Sequence, residues 1–152
     1  MSLDHSFILV KAAEYAPEEY FRFVRAPEGS RLHDDIVRYV GDSLQWIPTV
    51  NPAKGNEYGR GLNLYGPTAI LTEGAALAAR IFGTWAELFR LGPDTLTLTG
   101  AWCETEGIPG TGHYSHITIS RGALVPMLDR IADDCRRVAE SAGALFLLHI
   151  GI

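Results

Sequence analysis

The sequence predicts an α+β fold in two layers, a mixed sheet of four to five strands with three to four helices packed on it. Three observations carry that prediction. Short apolar segments rich in β-branched residues alternate with longer segments of helical period. Two alternating segments flank a glycine-rich turn, which reads as a hairpin. A length of 152 residues with 47% hydrophobic side chains suits one domain, 1–152, able to bury its own core. The predicted order is β-α-α-loop-β-α-β-β-α-β.

The first strand is Ser6 to Lys11, short and apolar. Pro17-Glu18-Glu19 reads as the first turn of a helix, with proline where no N–H is needed and acids at the positive end of the dipole. Tyr20, Phe21, Phe23 and Val24 supply its apolar side. Ser30 suits the cap of a second helix through Leu32, Ile36, Val37 and Val40, ending at Gly41. From Pro48 to Gly61 glycine, proline and asparagine recur and no apolar period survives, so a long irregular loop is expected. Leu62 to Gly66 alternates and reads as a strand.

Thr72 suits the start of a long helix whose core line is Leu77, Ile81, Trp85 and Leu88, with Ala78, Phe82 and Phe89 beside it. Gly92-Pro93 stops it. The hairpin follows, Thr95 to Cys103 and His113 to Ser120. With Leu96, Leu98, Ile117 and Ile119 facing the core, its other face is polar and wet. The last helix runs from Gly122 to Ala142 on the stripe Leu124, Leu128, Ile131, Cys135, Val138 and Ala142, with Pro126 near its first turn. Leu128 and Ile131 are expected to be buried. Ala144 to Ile150 is almost continuously apolar, as a strand covered on both faces should be.

A formal charge of −5 with scattered Lys and Arg argues against general nucleic-acid binding, which needs a basic face. No apolar run reaches the ~20 residues of a membrane helix, so no membrane partner is expected. Met1–His5 lacks the basic and apolar regions of a secretory signal, so the expected location is cytoplasmic. Cys103 and Cys135 are too few for a disulfide framework, and Cys135, on the apolar stripe, is expected to be a buried free thiol.

Cys103, Glu104, Glu106, His113, Ser115 and His116 concentrate at the hairpin tip. As metal ligands they fit poorly, because His113 and His116, three apart on a strand, point to opposite faces. No metal and no cofactor is therefore expected. A Cys103 thiol activated by His113 or His116 is permitted by the spacing but not demanded by it. Lys54 to Gly61 fails the phosphate-loop pattern, which places lysine and a hydroxyl directly after the last glycine. The run Asp129, Arg130, Asp133, Asp134, Arg136, Arg137 and Glu140 is a solvated helix face, with Asp133 and Arg137 at i,i+4 spacing. His149 reads as a hydrogen-bonded core histidine.

The expected function is a small soluble intracellular binding or inhibitory module, a bacterial immunity-type protein that neutralises a protein partner. The expected contacts are Tyr58 and Arg60 in the loop and Trp102, Tyr114 and His116 in the hairpin, residue types that give rigid area and adaptable hydrogen bonds. Two alternatives stand beside it. One is a small enzyme or ligand-binding domain with its site in the 103–116 hairpin. The other is a structural subunit of a homo-oligomer that buries the threonine-rich sheet face.

Overall fold

A computed structural model describes residues 3–25 and 29–152. Of the start Met1–His5, Met1 and Ser2 lie outside the described residues. The strands are β1 (Asp4–Lys11), β2 (Ser30–His33), β3 (Pro48–Asn51), β4 (Glu57–Arg60), β5 (Pro67–Ile70), β6 (Thr95–Cys103), β7 (His113–Ser120) and β8 (Leu145–Ile150). The helices are α1 (Asp34–Tyr39), α2 (Gly41–Leu44), α3 (Thr72–Arg90) and α4 (Arg121–Glu140), with short 3-10 turns at Pro17–Arg22 and Pro52–Lys54.

The most apolar segment takes the centre of a six-stranded sheet ordered β2-β1-β8-β5-β3-β4. In β8, Leu147 points to the helices while Phe146 and Leu148 point to the other face, which is why no polar alternation marks it. The buried residues of all four helices share one cluster on the first face. The second face is covered by Tyr15, Tyr20 and Phe23 from the segment after β1.

The fold is α+β as predicted, but the sheet is larger than predicted and its pairings are antiparallel. The reason lies between β5 and β8. A single crossover helix would return the chain parallel. Here two helices intervene, and they run in opposite directions, since Arg90 meets Asp129 while Gly83 faces Arg136. Strand β8 therefore arrives antiparallel to β5.

Four predicted boundaries move. The Pro17 segment makes only a 3-10 turn with no fully buried residue. Ser30 is not a helix cap but the first residue of β2, paired opposite Phe7. The cap of α1 is His33, whose Nδ1 accepts from the Asp35 amide at 3.2 Å. The segment 48–61 is not a loop: β3 and β4 form a hairpin at the sheet edge, turned by Gly55 and Asn56, both at positive φ. Leu62–Gly66 is irregular instead, and the strand is its continuation, β5.

Helix α4 matches its predicted stripe through Val138, with Leu128 and Ile131 fully buried. Pro126 sits one turn deeper than expected, and Ala142 lies beyond the helix, exposed, at φ +50°. Its surface ions pair at i,i+3, Asp133 with Arg136 and Asp134 with Arg137, in place of Asp133 with Arg137. Cys135 is a buried free thiol whose pKa burial pushes up to about 12, with the neighbouring Asp134 adding to it. Among the described residues no helix is long and apolar enough to cross a membrane.

Candidate functional site

Strands β6 and β7 pair with each other alone, in a two-stranded sheet apart from the main one. Leu96, Leu98, Ile117 and Ile119 seat the root of this arm against the helix cluster, as their alternation predicts. Beyond Leu98 the arm leaves the body, and residues 101–110 are exposed throughout. Its register pairs Thr99 with His116 and then Trp102 with Tyr114, so Gly100 and Ala101 together oppose Ser115. This bulge decides what the arm presents. In a regular strand Trp102 would face away from Thr99; the extra residue turns it onto the same outer face as Thr99, Tyr114 and His116. Glycine suits the bulge: a Cβ on Gly100 would sit 2.3 Å from the Ser115 hydroxyl, which would have to rotate away, and 3.2 Å from the Ser115 carbonyl oxygen.

The outer face thus carries a cross-strand aromatic pair. The Trp102 and Tyr114 rings stack edge to face at 5.1 Å, and each residue keeps 57% of its surface exposed. Ile108 is exposed at the tip. Positions 95–120 contain Glu104 and Glu106 but no Lys or Arg. Cys103 and His113 are register partners, yet each bonds its own strand: Cys103 Sγ reaches Ala101 O at 3.5 Å and His113 Nδ1 reaches Thr111 O at 3.0 Å. No Cys–His hydrogen bond forms between them.

Tyr58 and Arg60, expected to act with the hairpin, belong to a different sheet. They lie on the edge strand β4, where Tyr58 is exposed and Arg60 Nη1 donates to Trp46 O at 3.2 Å. Trp46 opens a second surface. A groove of about 250 Å³ runs between α2 and α3, walled by Trp46, Leu77, Ile81 and Trp85 and rimmed by Arg80. Trp46 is 60% exposed, and Leu88, half a helix away, 54%.

From the surface into the body, four side chains form a relay of which the sequence reading held one member, His149 as a hydrogen-bonded core histidine. His149 Nε2 lies 2.8 Å from His5 Nδ1, His5 Nε2 lies 3.0 Å from Asp34 Oδ1, and Arg38 Nε donates to Asp34 Oδ2 at 2.6 Å. Both histidines are fully buried and stack at 5.1 Å. Burial would raise the Asp34 pKa, but hydrogen bonds from Arg38 and His5 outweigh it and hold the carboxyl below its usual range. An ionised Asp34 accepts only, so His5 donates to it from Nε2, and one of the two facing nitrogens, His5 Nδ1 or His149 Nε2, carries the hydrogen of the contact between the rings. His149 Nδ1 has no partner among the described residues. Burial, with His5 adding to it, pushes the His149 pKa down to about 3. Short polar residues at the two chain ends, His5 and His149, were the only signal, and sequence cannot say that β1 and β8 are neighbours.

Among the described residues no three His, Cys, Asp or Glu side chains gather so as to hold a metal ion. Comparison with protein families, with curated proteins and with solved structures finds no match to this chain.

Proposed function

We propose that this chain is a protein-binding module of the partner-neutralising kind, and that the arm is its contact surface. The observation that carries the reading is the Trp102–Tyr114 pair, held 5.1 Å apart on a ribbon that joins no other sheet. An exposed aromatic pair of fixed geometry loses little rotamer freedom on binding and offers large apolar area, the profile of an interface anchor. Glu104 and Glu106, with no cation between positions 95 and 120, favour a partner that is basic around an apolar pocket.

The test begins with a photoreactive residue at position 102, and another at Glu140 on the solvated face of α4 as control. Cross-linking in the native cells should join position 102, not 140, to one protein. Against that purified partner, Trp102→Ala with Tyr114→Ala should weaken binding by at least about thirtyfold, with the melting transition unchanged, since each anchor is worth on the order of 1 kcal/mol or more. Equal affinity in the folded double variant would reject the arm as the contact surface.

A further inference from the structure

The body beside the arm carries the arm's chemical complement. The groove between α2 and α3 has indole and aliphatic walls, and its internal hydrogen bonds are already made. Trp85 Nε1 donates to Ser43 Oγ at 2.8 Å, and the Ser43 hydroxyl donates to Val40 O at 2.7 Å. No carboxylate lines it. The charge that lines it is cationic, Arg80 on the rim, with no ion pair among the described residues, and Arg60, outside the lining, donates to the Trp46 carbonyl. The arm is the reverse, with Trp102, Tyr114 and Ile108 exposed beside Glu104 and Glu106, neither of which has an ion pair among the described residues. Apolar surface matches apolar surface, and the unpaired anions match the unpaired cations.

The two surfaces also adjoin. Tyr39 joins Asp35 and Arg38 in a cleft of about 400 Å³ against Thr99 and Ala101 at the arm's root. The same Tyr39 ring lies 6.0 Å from Trp85, which walls the groove. Tyr39 therefore bridges the arm's root and the groove wall. A self-complementary face closes under two-fold symmetry, because each contact then occurs twice. Since the arm of a given copy stands exposed, its own groove is free for another.

We infer that this face is a homodimer interface in which the arm of each copy lies in the Trp46–Trp85 groove of the other, with Glu104 and Glu106 against Arg80 and Arg60. The inference rests on the arm being a protein-binding surface, and it names a second copy of this chain as an occupant.

Sedimentation of the purified chain tests it. At roughly 100 μM the wild type should be dimeric. Arg80→Glu alone, and Glu104→Lys with Glu106→Lys alone, should each be monomeric there, at least tenfold weaker in association; all three positions are exposed, so melting at high dilution, where association no longer contributes, should be unchanged. Mixing the two variants should restore the dimer, since the acidic arm of one then meets Arg80 of the other and the lysine arm meets Glu in place of Arg80. A dimer that survives both reversals, or a mixture that stays monomeric, overturns this docking. A wild type that is monomeric overturns the dimer, while cross-linking from position 102 to another protein decides the arm's role independently.

Discussion

His149 is one residue with a consequence for the whole stability curve. Folded, burial and the neighbouring His5 keep it neutral down to about pH 3; unfolded, the ring titrates near 6.5. Between those values the unfolded chain holds one more proton than the folded one. Stability must then fall as the pH drops below about 6.5, by up to ~1.4 kcal/mol per pH unit. Asp34 adds its own loss only lower down. Its folded pKa lies below the usual 3.8, so its contribution is present above that value and disappears beneath it. Between pH 6.5 and 4.5 His149 therefore contributes a loss to which Asp34 does not add. Urea unfolding at pH 7.5, 6 and 4.5 should reveal the slope, and His149→Phe, which packs beside Phe7, should flatten it. An unchanged slope in that variant would show that the ring does not titrate as its burial demands.

At the scale of elements, α3 departs most from its sequence reading. Its core line is not Leu77, Trp85 and Leu88 but Ala75, Ala78, Phe82, Ala86 and Phe89, all buried against the rest of the helix cluster. Ile81 is buried as expected, and Ala78, Phe82 and Phe89, read as flanking that line, lie at its centre. The helix is apolar around more than one stripe, and periodicity then favours the bulkier residues. Packing favours the smaller ones, because alanine lets α3 approach α4 closely. The surplus Leu77 and Trp85 become walls of the surface groove.

Two glycines in α3 make the packing testable with the same substitution. A Cβ on Gly83 would meet Arg136 at 3.6 Å and Ala132 at 3.9 Å, ordinary contact distances. Gly83→Ala should stabilise by about 0.5–1 kcal/mol through reduced unfolded-state entropy and better helix propensity. On Gly74 the added atom would sit 2.0 Å from the Pro48 carbonyl oxygen, which is backbone of β3 and cannot swing aside. Gly74→Ala should destabilise, forcing the first turn of α3 off β3. Thermal melts of the two variants should move in opposite directions; a Gly74→Ala protein as stable as the wild type would mean that α3 does not approach β3 so closely. Helix α4 needed no such correction, because its charges leave one apolar stripe and therefore one phase.

At the scale of the whole molecule, the arm's root belongs to the core while its tip stands outside it. Its tip is held only by local bonds, the Thr105 amide to Thr111 Oγ1 at 3.0 Å and the Thr111 hydroxyl to Ile108 O at 2.8 Å. Replacing residues 104–111 by a two-residue Asn-Gly turn should change unfolding stability by less than about 0.5 kcal/mol, the range of surface changes that bury nothing. Partner binding and dimerisation should both be lost. A large stability loss in chemical denaturation would place the tip within the core and count against its role as a free contact surface.

The sequence by itself determined the elements whose partners are their own neighbours. Helix α4, the β6–β7 hairpin and the doubly buried β8 are legible because one period, one turn and one apolar run specify each of them locally. The outer residues Tyr114 and His116 were legible for the same reason, since alternation along β7 assigns their face. Tertiary structure decided everything that depends on who lies beside whom. Ser30–His33 becomes an edge strand, and the glycine-rich segment 48–61 a hairpin closing the other edge, only because β1 and β5 offer open backbone to pair with. Trp102 reaches the outer face only through a bulge against Ser115. The chain from the exposed Arg38 through Asp34 and His5 to the buried His149 joins residues up to 144 positions apart. Such contacts leave no local period, because the forces that select them act between segments that sequence order does not bring together.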